Sequence, residues 1–240
     1  MLATRGGGLL NWIGSNPLPI LLSLLILAGG AWGFIELADE VLEGATQSVD
    51  ERILLAMRTP GDPATPIGPP WLAELGRDVT ALGGVAVLTT MVLISAGYLL
   101  LAAKYRSAVF MVLAVAGGLV LSSLLKLAID RPRPELVSHE SLVYTASFPS
   151  GHAMMAAVTY LTLAVMLARV QPRRRLKAYL LLVALLITVA VGLSRIYVGV
   201  HWPSDVLAGW TAGAAWAALC WLVALWLQRS GRVEPADQEP

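Results

Sequence analysis

The chain has 240 residues, of which 57% are hydrophobic and 14% are charged, with a formal net charge of +1 and a mean hydropathy of +0.70. Soluble domains contain about 25% charged residues, so this composition excludes a soluble globular enzyme, a disordered chain and a nucleic-acid-binding protein. The single cysteine, Cys220, excludes an intrachain disulfide, and the sequence has no zinc or redox motif. The class that remains is a polytopic membrane protein.

Six stretches without Asp, Glu, Lys or Arg approach the length of about 20 apolar residues that a membrane-spanning helix needs. In chain order they are 17–35, 79–103, 107–125, 151–168, 178–194 and 206–228. We predict an all-α protein in which these six helices form one membrane domain over residues 1–240. The first stretch is longer than a signal-peptide core, so we interpret it as a retained helix. Several glycines predict close helix packing: Gly30, Gly118, Gly209 and Gly213.

Basic residues in the short connections predict the orientation of the helices. Lys104 and Arg106 lie between the second and third stretches. The connection after the fourth stretch is also basic and has no acid, with Arg169, Arg173, Arg174, Arg175 and Lys177. Both connections are expected to be cytoplasmic, whereas residues 36–78, with nine acidic and three basic residues, are expected outside. Both termini are therefore predicted to be cytoplasmic, in a bacterial inner (plasma) membrane.

The predicted outer segment, residues 36–78, carries two groups of apolar residues at helical spacing. The groups are Val49, Ile53, Leu54 and Met57, and Trp71, Leu72 and Leu75. This pattern predicts two short amphipathic helices at the membrane interface. Residues 59–70, TPGDPATPIGPP, are typical of a linker rich in proline and glycine. We expect the segment to lie over the functional site and to affect the access of lipids.

Most remaining polar residues gather in three segments that the predicted topology places on the same, outer side. The segments are KLAIDRPRP from Lys126, FPSGH ending at His152, and SRIYVGVHWPSD from Ser194 to Asp205. Lysine and arginine without matching acids suit a phosphate group, and a helix start also favours an anion. Asp205, four residues after His201, can fix the histidine tautomer and support a nucleophilic or basic role.

The first two segments also have structural interpretations. Lys126 alone is more often a lysine that extends to the membrane interface. Arg131 and Arg133 alone are ordinary loop charges. Ser150 and Gly151 before a helix are mainly capping residues. Only the combination of segments favours a functional site.

The histidines likewise have both a structural and a functional interpretation. His201 and Asp205 at helical spacing can form a structural cap instead of a reactive pair. The chain has three histidines, and two of them fall in these segments, which favours a functional interpretation. The third, His139, is interpreted as a solvated loop residue.

Taken in order, the three segments resemble the signature of the type 2 phosphatidic acid phosphatase family, K-x6-R-P, P-S-G-H and S-R-x5-H-x3-D. The matching residues, with every spacing intact, are Lys126, Arg133, Pro134, Pro149, Ser150, Gly151, His152, Ser194, Arg195, His201 and Asp205. The region that carries these motifs is 107–227, from the third helix to the sixth. The resemblance implies the six-helix bundle of the family's membrane members.

The resemblance also implies a role for each matching residue. His201 would attack phosphorus to form a phosphohistidine, Asp205 would orient His201, and His152 would protonate the leaving group and then activate water. The phosphoryl oxygens would be held by Lys126, Arg133, Ser150, Gly151 and Arg195. The segments lack the paired carboxylates of a magnesium or two-metal site, so we expect a reaction that needs no metal or other cofactor.

The expected activity is hydrolysis of a lipid phosphate monoester or diphosphate at the outer membrane face. Bacterial members of the family act on phosphatidic acid, phosphatidylglycerol phosphate and undecaprenyl diphosphate, and the residues alone do not rank these lipids. Two alternatives stay open. The phosphohistidine could pass its phosphate to a lipid or sugar acceptor, or the site could bind phosphate without turnover. Membrane lipids are the implied partners, and the sequence does not define an oligomeric state.

Overall fold

The structure is a computed structural model that describes residues 17–135, 146–169, 171 and 173–230. The chain termini, whose cytoplasmic location is predicted from the sequence, and His139 lie outside the described residues. The helices are α1 Pro17–Leu42, α2 Gln47–Ala56, α3 Pro70–Ala81, α4 Val85–Leu101, α5 Tyr105–Ala128, α6 Gly151–Ala156, α7 Thr162–Arg169, α8 Arg174–Tyr197 and α9 Pro203–Arg229. Two short strands, β1 Arg58–Thr59 and β2 Asp62–Pro66, form an antiparallel pair, and a π-helical turn, Ala157–Leu161, joins α6 to α7.

The prediction of an all-α bundle with six spans is confirmed, with one change in the second span. Among the described residues, α1, α5, α8, α9 and the continuous run of α6 and α7 are each long and apolar enough to cross a membrane. Helices α3 and α4 qualify together as a sixth span that is bent by 48°. The bend lies between Ala81 and Val85, where Gly83 and Gly84 lack the side chains that favour a helix.

The segment 36–78 is more ordered than its composition predicts. Helix α1 continues to Leu42, since the acidic residues in its last turns are exposed. The two short helices predicted from apolar spacing are present as α2 and α3. The prediction of a linker over 59–70 is wrong, because β1 and β2 form a hairpin there. The Tyr197 hydroxyl donates to the carbonyl of Ile67 at 2.8 Å, and Arg58 donates to the carbonyl of Tyr197 at 2.8 Å. These contacts fix the hairpin to the end of α8.

Helix α9 lies at the centre of the bundle and packs along α1 and against α6 and the π-helical turn. Half of its most apolar window is buried, compared with 6% for α1 at the periphery. Small residues permit this packing, as the sequence predicts. A Cβ atom on Gly30 would lie 2.8 Å from the carbonyl oxygen of Thr211, and one on Gly213 would lie 2.7 Å from that of Met154.

One hydrophobic cluster joins α2 to the helices that carry the sequence motifs. Leu54 of α2 is fully buried and belongs to a cluster with Ala153 of α6, Ile196 of α8 and Val206 of α9. Trp202, in the turn before α9, completes the cluster. Burial of each large apolar side chain contributes about 1.5–3 kcal/mol, so this cluster holds α2 against the ends of the three helices.

Candidate active site

The three motif segments meet at one end of the bundle, where α5 and α8 end and α6 and α9 begin. His152, in the first turn of α6, lies within electrostatic range of four other motif residues: Arg195, His201, Lys126 and Arg133. Lys126 likewise interacts with Arg133, Asp205 and Arg195. The structure therefore brings together all the ionisable residues that the sequence selects.

The start of α9 places His201 beside Asp205. Pro203 begins the helix, as its position in the sequence predicts, and the backbone N–H of Trp202 donates to Asp205 Oδ2 at 3.0 Å. The same oxygen lies 3.3 Å from His201 Nδ1. Both side chains are buried, with 2% of His201 and 0% of Asp205 exposed. Asp205 is thus a helix cap and a histidine partner at once, so the two interpretations of this spacing are compatible.

The surroundings of His201 define its tautomer and protonation state. Its Nε2 atom lies 3.2 Å from Nη1 of Arg133, and arginine has donors only. Nε2 must therefore be the acceptor, with the ring proton on Nδ1 facing Asp205. Burial lowers the pKa of His201 to about 4, and its interactions with Asp205 oppose this shift. At neutral pH the imidazole is neutral and directs its free electron pair toward the cationic side chains.

Three cations lie in this part of the site, within electrostatic range of His152, and each donates a hydrogen bond to a neutral oxygen. Arg133 Nη1 donates to the carbonyl of Val200 at 2.7 Å, and Lys126 Nζ donates to that of Ala146 at 2.8 Å. Arg195 Nη1 donates to Thr80 Oγ1, at the end of α3, at 3.1 Å. The described residues contain no group of three or more His, Cys, Asp or Glu arranged to hold a metal ion. The positive charge that the described residues bring to this site is that of Lys126, Arg133 and Arg195.

The segment before α6 presents donors to the same space. The Ser150 N–H donates to the backbone carbonyl of Asp205 at 2.9 Å, which ties this segment to α9. Ser150 Oγ is buried and makes no capping bond, so the capping interpretation of this serine is wrong. In the described part of the chain, neither Ser150 Oγ nor Arg195 Nε has a hydrogen-bond partner. Unpaired buried donors cost about 1–3 kcal/mol each, so both suit an anionic ligand that pairs with them.

Gly151 leaves room for the Lys126 side chain of α5. A Cβ atom at Gly151 would lie 3.3 Å from Cε of Lys126 and 3.9 Å from Oγ of Ser122. The missing side chain lets the lysine lie against the first turn of α6, where the free N–H groups of the helix start are directed. The absence of a side chain at Gly151 therefore lets the Lys126 ammonium group and the N–H groups at the start of α6 lie close together.

Two charged residues at the site, Arg131 and Asp50, are not predicted from the sequence. Arg131 is buried, so its interpretation as an ordinary loop charge is wrong. Its Nη1 donates to Asp205 Oδ1 at 2.7 Å and its Nη2 donates to Asp50 Oδ2 at 2.8 Å. Ser147, which was also missed, donates its hydroxyl to Asp205 Oδ2. A signal existed: Asp50 lies four residues before Leu54, on the buried face of α2, and a buried carboxylate needs a partner.

The fold and this site together define a polytopic membrane protein with a buried histidine–aspartate pair among cationic side chains. Residues 107–229 match the family model of the PAP2 superfamily. The chain belongs to this family, and it is a lipid phosphatase of the family's membrane-embedded branch.

Individual relatives agree with this assignment. The chain is 35% identical to phosphatidylglycerophosphatase B of Bacillus subtilis (strain 168) over 183 residues, which cover 75% of this chain and 85% of the relative. It is 34% identical over 92 residues to an undecaprenyl-diphosphatase of Sulfolobus acidocaldarius, a match that spans 38% of each protein.

Two crystal structures are similar in fold. The transmembrane PAP2-type phosphatidylglycerolphosphate phosphatase from Bacillus subtilis gives a TM-score of 0.77 at 30% identity, covering 85% of this chain and 98% of that structure. LpxE of Aquifex aeolicus gives a TM-score of 0.51 at 24% identity, covering 74% of this chain and 94% of that structure, and shows the fold alone.

Proposed function

We propose that this protein hydrolyses a lipid phosphate monoester or diphosphate through a phosphohistidine formed on His201. The observation that carries the proposal is the orientation of the His201 ring. Nδ1 faces the carboxylate of Asp205 at 3.3 Å, and Nε2, which has the free electron pair, faces Arg133 at 3.2 Å. Phosphoryl transfer needs a nucleophile that faces donors to the phosphate, here Nε2, and a carboxylate that interacts with the opposite ring nitrogen, here Nδ1.

In the first step, the Nε2 electron pair of His201 forms a bond to phosphorus while the bond from phosphorus to the leaving oxygen breaks. His152 donates a proton to that oxygen, so the lipid alcohol or lipid phosphate leaves in protonated form. Asp205 stabilises the positive charge that develops on the His201 ring. The negative phosphoryl oxygens are stabilised by Lys126, Arg133, Arg195, the Ser150 hydroxyl and the Gly151 N–H group.

In the second step, water replaces the histidine. His152, now neutral, takes a proton from the water as its oxygen forms a bond to phosphorus. The bond from phosphorus to Nε2 of His201 breaks, and its electron pair returns to the ring. Inorganic phosphate leaves, and His152 carries a proton again, as it did at the start of the cycle.

The substrate class is supported by the relatives and by the position of the site. One relative is named for phosphatidylglycerophosphate and another for undecaprenyl diphosphate. Both lipids carry a phosphate on a long apolar tail, and a site at helix ends can receive the head group while the tail stays in lipid. Phosphatidic acid has the same chemistry and belongs in the same test.

The orientation in the membrane is part of the proposal. Charges in the short connections favour a bacterial inner membrane location with both termini in the cytoplasm. Residues 36–78 and the active site would then face outward, within one membrane domain that spans residues 1–240.

The test is phosphate release by purified protein in detergent, with EDTA present. The panel is phosphatidic acid, phosphatidylglycerol phosphate and undecaprenyl diphosphate, and the variant is His201→Ala. His139→Ala, at the histidine outside the three motif segments, is the matched control. We expect release from at least one lipid by the wild type and by the control, and loss of at least a thousandfold with His201→Ala.

Other results would replace the proposal. Phosphate that appears on an added lipid or sugar alcohol instead of in solution would indicate a phosphotransferase. A folded wild-type protein that binds phosphate without turnover, weakly in Arg195→Ala and normally in His201→Ala, would indicate a binding protein. Activity that depends on a metal and disappears with EDTA would contradict the metal-independent mechanism.

A further inference from the structure

A buried charge network joins α2 to the His201–Asp205 pair. Arg131 lies at its centre, with a carboxylate on each side: Asp205 Oδ1 at 2.7 Å and Asp50 Oδ2 at 2.8 Å. Ser204 Oγ accepts from Arg131 at 2.7 Å and donates to Asp50 Oδ2 at 2.5 Å. All four side chains are buried, so water does not screen these contacts.

Further contacts fix the position of the guanidinium. It lies 5.5 Å from the centroid of the Trp202 ring, and its Nη2 donates to Thr46 Oγ1 at 3.3 Å. Asp50 also accepts the backbone N–H of Ser204, in the first turn of α9, at 2.9 Å. Asp50 therefore contacts both Arg131 and the start of α9, which carries Asp205. Replacing the Asp50 carboxylate would weaken both of these contacts.

The two oxygens of Asp205 have different partners. Oδ2 faces His201 and accepts from Ser147 and Trp202, whereas Oδ1 accepts from Arg131. An isolated Arg131 would neutralise Asp205 and weaken its effect on the histidine. Because Asp50 shares the guanidinium, the group of Asp50, Arg131 and Asp205 keeps one net negative charge.

That negative charge matters because of what else surrounds His201. Arg133 and Arg195 both act on His201 electrostatically, and His152 also lies in range. The two arginines are cationic, and so is His152 while it carries the proton for the leaving oxygen. All three oppose the positive charge that the His201 ring gains when it attacks phosphorus. The negative charge held near Nδ1 offsets this opposition.

We propose that Arg131 and Asp50 are positioning residues, which orient the Asp205 carboxylate and preserve its charge so that His201 can be phosphorylated. The inference rests on the proposed function. It assigns to α2, outside the segments that match the family signature, a role in the chemical step.

The first test is Asp50→Asn, which removes a charge at almost constant volume. We expect kcat to fall about tenfold to a hundredfold, the range typical of outer-shell partners, while KM changes less than twofold. Glu51→Gln, the neighbouring carboxylate on α2 that accepts from Gln47, is the matched control and should leave both constants unchanged. The amount of folded enzyme is measured by size-exclusion chromatography in detergent, so kcat refers only to folded enzyme.

The second test asks whether Asp50 acts through Arg131. We expect the double variant Asp50→Asn with Arg131→Gln to lose no more kcat than the worse of the two single variants, because one network is broken in each case. Losses that multiply would show independent effects and would overturn the inference. An Asp50→Asn enzyme with the wild-type kcat per active site would also overturn it.

A milder variant covers the case in which Asp50→Asn does not fold. Ser204→Ala removes the two buried hydrogen bonds that this hydroxyl makes with Arg131 and Asp50 but removes no charge, so we expect kcat to fall about twofold to tenfold at unchanged KM. An unchanged kcat in Ser204→Ala would count against the network. An active wild type with unaffected network variants overturns this inference alone, whereas a wild type that releases no phosphate overturns the proposed function as well.

Discussion

At the scale of single residues, the protonation state of His201 depends on burial more than on its charged neighbours. Desolvation is the largest influence on its pKa and, together with Arg133 and Arg195, it outweighs the opposing effect of Asp205, so the pKa falls from 6.5 to about 4. The folded protein therefore favours the neutral ring. In the unfolded chain the ring protonates near its ordinary pKa, so the stability contributed by neutral His201 is complete above pH 6.5 and is lost as the pH falls toward 4.

This protonation state is measurable directly. With 15N-labelled histidine in detergent-solubilised protein, we expect the His201 signals to show a neutral ring with the proton on Nδ1 and no titration between pH 8 and pH 5. His201→Gln identifies the signals, since the chain has three histidines. A titration midpoint near 6.5, or a ring with its proton on Nε2, would contradict the structure.

The site residues predicted from the sequence and those not predicted differ in how far apart in sequence the contacting partners lie. His201 and Asp205 are four residues apart at the start of one helix, so their contact follows from helical geometry. Arg131 and Asp50 are 81 residues apart and meet only because Leu54 packs α2 onto α9. No local pattern contains that contact. An acid on the buried face of α2 indicates that a partner exists but not which of the arginines it is.

At the scale of elements, the site depends on how closely α9 approaches the start of α6. A Cβ atom on Gly209 would lie 2.8 Å from the carbonyl oxygen of Ser150 and 3.0 Å from Cβ of Ala153. The Ser150 N–H bond to the backbone of Asp205 spans the same interface. The segment around Ser150 and the histidine–aspartate pair are therefore held together by a glycine contact.

We predict that Gly209→Ala damages both stability and activity. The added methyl group meets backbone that cannot rotate away, so α6 must move from α9, at a cost of about 1–3 kcal/mol. Thermal unfolding in detergent should occur at a lower temperature, and kcat should fall because Ser150 and Gly151 move relative to His201. Gly29→Ala is the control: a Cβ atom there meets nothing within 4 Å, so its effect should be neutral or stabilising. Equal stability of the two variants would disprove this account of the interface.

The elements differ in how well their sequences predict them. Long apolar runs define five spans well, because length and hydropathy are local properties. The hairpin of β1 and β2 was missed because proline and glycine are typical of both linkers and turns. Its position is set by Arg58 and Tyr197, whose contacts reach the far end of α8. The bend between α3 and α4 was missed because Glu74, Arg77 and Asp78 assign most of α3 to the acidic outer segment rather than to a span.

At the scale of the whole molecule, the bundle separates central helices from peripheral ones. More than half of the most apolar window of the α6–α7 span is buried, compared with 22% for α8 and 28% for α5. Leucines such as Leu25 on α1 and Leu113 on α5 remain exposed, which suits contact with lipid tails. The proposed catalytic residues His152, His201 and Asp205 thus lie at the starts of the most enclosed helices, α6 and α9, where charged side chains can be paired.

The last prediction concerns the side of the membrane that the site faces. The chain suits cysteine labelling, because its one cysteine, Cys220, is buried and Cys220→Ala gives a background without thiols. Ala64, on the hairpin beside the candidate active site, and Ala102, after α4 at the opposite end of the bundle, are both exposed and differ from cysteine by one atom.

In spheroplasts, we expect a membrane-impermeant maleimide to label Ala64→Cys, and to label Ala102→Cys only after the membrane is permeabilised. This result follows if the basic connections around Lys104 and after α7 stay in the cytoplasm. Labelling of Ala102→Cys alone in intact spheroplasts would reverse the orientation and place the hydrolysis of the lipid phosphate on the cytoplasmic side.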